Sequence, residues 1–164
     1  MVDPENWLTN YAPGYSALKR SEREAIAYFC LLWSLFEAQQ LKHAASASSI
    51  VEHVKQWELQ GRLDAQLFHN PLTYFTRRYF STGEFTHLFY DLNFRPHDRR
   101  LLVENVLRGA NQDARDSVIA LLLIIYRLRN NLFHGDKWDS GLKNQEENFT
   151  NANHVLMRAL EVRL

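Results

Sequence analysis

Residues 113–134 carry a single apolar run, Val118-Ile119-Ala120-Leu121-Leu122-Leu123-Ile124-Ile125-Tyr126, and no turn residue divides the stretch. Such a run reads either as a pair of strands or as one central helix. Strands rarely exceed about ten residues, so the length selects a helix. A helix that is apolar all round must be buried, and it can be buried only among other helices. The chain is therefore expected to be all-α, a helical bundle with short connections. Six glycines and four prolines in 164 residues, with 46% apolar content, agree with long regular elements and not with a disordered chain.

A chain of 164 residues corresponds to one domain, large enough to bury a core without a disulfide or a structural metal. The single Cys30 excludes an internal bridge and cysteine-rich zinc motifs, which makes a cytoplasmic setting the expectation. Asp3, Pro4 and Glu5 stand where a secretory signal would carry positive charge, and no long uncharged stretch follows, so neither export nor contact with a membrane is expected. Nineteen basic residues against nineteen acidic ones leave no net field to draw in a polyanion, so any contact with nucleic acid is local.

Residues 1–20 hold two prolines, Gly14 and no sustained period, and read as an irregular arm that Trp7, Leu8, Tyr11 and Tyr15 pin to the body. Residues 21–164 read as one domain of about five to six helices. Ser21-Glu22-Arg23-Glu24 has the form of a capping box opening a helix. Its apolar residues, Ile26, Tyr28, Phe29, Leu31, Leu32, Trp33, Leu35 and Phe36, cover nearly the whole circumference, which suits enclosure by neighbours or by a second subunit. Glu37 is the exception in that run. After a small-residue link over 44–49, Ile50, Val51, Val54, Trp57 and Leu59 mark a second amphipathic helix that ends near Gly61. Asn70-Pro71 reads as an N-cap with proline at the first helical position. Residues 81–95 are aromatic-rich but follow neither period. A helix resumes over 96–107 with Asp98 near its positive end and Gly109 as its stop; Gly135 is the expected left-handed cap of the central helix, and residues 144–164 form the last one.

The end of the central helix is where chemistry concentrates. Arg127-Leu128-Arg129-Asn130-Asn131-Leu132-Phe133-His134 places polar groups at the close of the most apolar helix, where a guanidinium must be paired or solvated. At about 100° per residue, Asn130 and His134 share a face and Arg127 projects within about 20° of His134. Arg129 lies roughly 140° away and must wrap round or meet a partner helix. Geometry alone favours Arg127 as the histidine's neighbour. A histidine titrates near neutral pH and can take or give a proton, and an arginine fork holds a phosphoryl group and stabilises charge on its oxygens. Together they describe RNA cleavage without a metal or other cofactor, in which a 2′-hydroxyl attacks the adjacent phosphorus.

The motif Arg129-Asn130-Asn131-Leu132-Phe133-His134, within Arg-Asn-Asn-Leu-Phe-His-Gly, resembles the Arg-x4-6-His signature of HEPN domains. The resemblance implies a HEPN-like helical bundle, toxin-type, that dimerises so that two motifs form one composite endoribonuclease site, often in toxin-antitoxin, antiphage or stress systems. It assigns Arg129 and His134 as catalytic with Asn130 beside them, although the variable spacing of the signature also admits Arg127, as Arg-x6-His; Glu37, Arg127 and Asn131 are read from the residues as supporting groups. It names RNA, a second copy of the chain and an antitoxin or regulatory protein as partners. Some members extend the motif to His-x-Tyr; here the residues are His134-Gly135-Asp136. The resemblance extends loosely to Trp33-Ser34-Leu35-Phe36-Glu37 and leaves residues 44–110 unexplained.

Plainer readings stand beside these. His134 suits a helix C-terminus on dipole grounds alone, and Arg129 can form a structural bridge with Glu37. Arg77, Arg78 and Tyr79, with Arg99 and Arg100, fit an RNA path of cations and stacking surfaces, but also fit solvated helix faces over core aromatics. No histidine spacing supports a metal site. The alternative to a nuclease is a non-catalytic helical module that binds RNA or a protein.

Overall fold

A computed structural model of the chain describes residues 3–134, 142 and 144–162. It is all-α: among these residues there are eight α-helices, and the one sheet is a two-stranded hairpin. The helices are α1 (Pro4–Tyr11), α2 (Arg20–Gln40), α3 (Ala47–Leu59), α4 (His69–Tyr79), α5 (His87–Tyr90), α6 (Arg100–Leu107), α7 (Ala114–Phe133) and α8 (Glu146–Glu161). No helix among them is long and apolar enough to cross a membrane.

The expected central helix is α7. Asp113 caps it by accepting the Asp116 N–H (2.9 Å), and every residue from Val118 to Ile125 is buried. α3 and α6 pack along α7, while α8 pairs extensively with α2 and touches α4. Asn153 of α8 donates to the Ala25 carbonyl of α2 (3.0 Å), and Phe149 meets Phe29 at 4.9 Å between ring centroids. These contacts fix α2 against α8 so that the C-terminal half of α2 lies across the end of α7.

Several boundaries differ from the sequence expectation. The arm is not irregular: Asp3 accepts from the N–H groups of Glu5 and Asn6, Pro4 begins α1, and a 3₁₀ turn follows at Tyr15–Ala17. The proline that read as a breaker sits at the first helical position, where its missing N–H is no loss. Arg23 pairs with Glu5 and lies over the Tyr15 ring, tying the arm to α2; Trp7 and Tyr11 stack on each other and stay exposed. α2 opens at Arg20, not after Ser21, because the carboxylate that reaches back is Glu22, bonded to the Lys19 N–H (2.9 Å). Its apolar residues are not all enclosed: Phe29, Trp33 and Phe36 are buried, whereas Tyr28, Leu31 and Leu35 are exposed. α3 begins at Ala47, capped by Ser46. α4 begins at His69, so Pro71 is its third residue.

The unassigned stretch 81–95 holds a hairpin and α5. Phe80 pairs with Phe85 and Ser81 with Glu84 across Thr82 and Gly83, both at positive φ, which is the two-residue turn that glycine favours. Phe85 stacks on Phe89 (4.3 Å), and Phe94 closes on the other side (5.6 Å). α6 starts four residues later than expected. Asp98 is buried instead of standing at the helix entrance, and Arg99 takes a left-handed conformation (φ 54°) before the helix begins. The Gly135 cap and the His134-Gly135-Asp136 sequence extend outside the described residues.

Candidate functional site

The last two turns of α7 present their polar groups in three directions. Arg127 and Asn131, one turn apart, face the segment between α5 and α6. Arg127 donates through Nε to the Leu92 carbonyl (2.9 Å) and lies 3.1 Å from the Asp98 carboxylate, with both side chains buried. Asn131 donates to the Asp91 carbonyl (2.8 Å). Asp98 also accepts from the Arg95 N–H (2.9 Å), which closes the segment on itself. The preference for Arg127 as the histidine's neighbour is therefore corrected: its guanidinium is spent inside, clamping residues 91–98. An ion pair this deep must be matched, since an unmatched cation there would be several kcal/mol uphill.

Arg129 faces α2 instead. Its guanidinium lies over the rings of Trp33 (5.9 Å) and Phe133 (5.2 Å) and 3.7 Å from Glu37 Oε2. Trp33 fixes that carboxylate by donating from Nε1 to the same oxygen (2.8 Å). Arg129 also donates from Nη1 to Asn130 Oδ1 (3.0 Å), while its Nε has no acceptor among the described residues. The side chain keeps 30% of its surface exposed. An oriented arginine with part of its side chain exposed can meet an incoming anion, although not through Nε, which is buried. The bridge from Arg129 to Glu37 expected from the sequence is present, and at 3.7 Å it positions the cation without saturating it.

His134 is the C-cap of α7. Its backbone N–H bonds to the Asn130 carbonyl (2.9 Å) and its side chain is exposed. Asn130 is buried beneath, between the Arg129 face and the Arg127 face. Glu37, Arg129 and Asn130 are thus joined at the end of α7 that His134 caps, with the Arg129 guanidinium over the rings of Trp33 and Phe133.

The other residues singled out in the sequence separate. Tyr79 is buried, its hydroxyl meets Asn148 Oδ1 (3.4 Å), and burial pushes its phenol well above the ordinary range. It cannot stack on a base, because its ring already packs on Phe75. Arg78 is half-buried, donates to the Tyr74 hydroxyl (3.3 Å) and holds Thr86 through its carbonyl (2.8 Å). Arg77, Arg99 and Arg100 are exposed. The sequence reading missed Asp91, Leu92 and Asp98 as partners of α7; the available signal was Arg127 itself, a cation in a buried helix that must have an acid somewhere. Among the described residues no cluster of histidine, cysteine, aspartate and glutamate could hold a metal ion.

A groove lies elsewhere. It runs between α2 and α8, about 620 Å³, lined by Tyr28, Leu31, Leu32, Asn153 and Met157 among others. Glu37 lies roughly 120–180° around α2 from Leu31, Leu32 and Tyr28, so this groove belongs to another flank of the helix. Compared with protein-family models, curated proteins and solved structures, the chain matches none.

Proposed function

We propose that the chain is a metal-independent endoribonuclease of HEPN type, with Arg129 and His134 as its catalytic residues. The observation that carries the proposal is the presence, at one helix end, of an exposed histidine and a partly exposed arginine that Glu37 and Asn130 orient. In this mechanism the ribose 2′-hydroxyl gives its proton to an imidazole and its oxygen forms a bond to phosphorus. Arg129 stabilises the charge that builds on the phosphoryl oxygens. The bond to the 5′-oxygen then breaks, and that oxygen takes a proton from an imidazolium. One histidine serves poorly as base and acid at once, so the reading includes a two-fold dimer in which the partner subunit's His134 supplies the second group. Phe133, exposed and in contact with Arg129, offers apolar surface for such a copy beside the site. Glu37 and Asn130 hold the arginine; Arg127 and Asn131 hold the neighbouring segment. A toxin, antiphage or stress role and control by an antitoxin or regulatory protein in the cytoplasm belong to the same proposal.

The test is incubation of purified protein with labelled RNA in excess EDTA. The reading expects cleavage that His134→Ala and Arg129→Ala each reduce by at least about 100-fold. Equal cleavage by His134→Ala removes the site from the proposal. A second reading, a helical module that binds a protein, is favoured by the exposed groove between α2 and α8. It expects Leu31→Glu to abolish partner binding while His134→Ala leaves it intact.

A further inference from the structure

The residue next to the clamped segment is an exposed aromatic with a cation beside it. Tyr90 ends α5, and it is 55% exposed where its neighbour Phe89 is 1% exposed. The Arg100 guanidinium lies over both rings, 5.5 Å from the Phe89 centroid and 5.6 Å from that of Tyr90, and is itself held by Glu104 (2.8 Å). Phe89 anchors the pair in the core, so Tyr90 is a fixed exposed ring with a cation on it. Its position follows from the clamp. The next residue, Asp91, gives its carbonyl to Asn131, and Leu92 and Asp98 are bound by Arg127. Asn131 is three residues from His134, and Arg127 projects within about 20° of it. Tyr90 is thus fastened beside the last turns of α7, the helix end that carries His134. Arg95 and Arg99 are exposed on the same segment; of its carboxylates, Asp98 is neutralised by Arg127 and Asp91 is exposed.

Resting on the nuclease reading, we infer that Tyr90 and Arg100 form a stacking platform for an unpaired base adjoining the scissile linkage, with Arg95 and Arg99 facing the flanking phosphates. An aromatic face accepts any base and so selects single strands over duplexes without reading sequence. Local cations of this kind reconcile RNA binding with a chain of no net charge.

The test uses the full chain carrying His134→Ala, so that RNA stays intact, and a single-stranded oligoribonucleotide containing 2-aminopurine. Stacking predicts quenching of 2-aminopurine on binding, and affinity weakened about 5- to 150-fold by Tyr90→Ala but retained by Tyr90→Phe. Unchanged affinity in Tyr90→Ala, or no quenching with any placement of the probe, overturns the platform. The quenching readout needs no substitution at Tyr90 and so holds even if Tyr90→Ala misfolds. RNA bound in a Tyr90-dependent way but never cleaved by the unsubstituted chain sinks the nuclease reading and leaves the platform. Cleavage indifferent to Tyr90 does the reverse, and failure to bind RNA overturns both.

Discussion

Removing Asp98 tests the division of labour between the two arginines. The Arg127 side chain is 4% exposed and that of Asp98 9%, and they meet at 3.1 Å. Asp98→Ala takes the carboxylate from a buried cation and leaves the Arg95 N–H without its acceptor. Breaking a buried pair from one side costs about 3–5 kcal/mol, because the remaining charge stays desolvated. For a domain of this size each kcal/mol moves Tm by about 2–4 °C, so the melt should fall by roughly 6–20 °C. Replacing both groups by apolar ones, Asp98→Leu with Arg127→Met, should recover most of that loss, since an apolar pair of similar volume needs no neutralisation. Chemical denaturation followed by circular dichroism, on both single variants and the double, gives the coupling energy, expected at about 2–3 kcal/mol. A loss below about 1 kcal/mol in Asp98→Ala, or simple additivity in the double variant, would refute the claim that Arg127 is a structural clamp and return it to the list of catalytic candidates.

Three further outcomes follow from the same contacts. Glu37→Gln removes a half-exposed ion pair and so should change stability by less than about 1 kcal/mol, yet loosen Arg129 enough to lower kcat by about 10- to 100-fold; steady-state kinetics beside a thermal melt separates the two. His53, half-buried and 2.6 Å from Gln40 Oε1, has its pKa lowered by burial. The folded state then binds fewer protons than the unfolded one, so stability is complete above the unfolded value near 6.5 and declines as pH falls below it; His53→Gln should flatten that part of the stability curve measured by denaturation at several pH values. Phe149→Ala, at a site with 0% exposure against Phe29, should cost about 3–5 kcal/mol by calorimetry or denaturation, and a smaller loss would mean that α2 and α8 do not depend on that contact.

What could be read before the fold was known depended on how local its cause was. α7 was legible because its burial is written into nine consecutive apolar residues and its start into Asp113. The Glu37–Arg129 pair was legible as two charges in otherwise apolar helices. The hairpin and α5 were not, since Phe80, Phe85, Phe89 and Phe94 are ordered by stacking on one another and carry no period of two or 3.6. The role of Arg127 was misjudged for a related reason. A helical wheel gives the direction of a side chain but not what waits there, and the acid that meets it is 29 positions earlier, behind a residue at positive φ. Asp98 reads locally as helix-start chemistry; only the tertiary need of a buried guanidinium draws it inward.

The central claim, that His134 and Arg129 at the end of α7 in two paired copies cut RNA through its own 2′-hydroxyl, meets its most direct test in a DNA oligonucleotide carrying a single ribonucleotide. Incubated with the protein in EDTA, it should be cut only on the 3′ side of that ribose, leaving a 2′,3′-cyclic phosphate, and not at all by His134→Ala. Cutting of the all-deoxy strand, or an identical product from His134→Ala, would contradict the account.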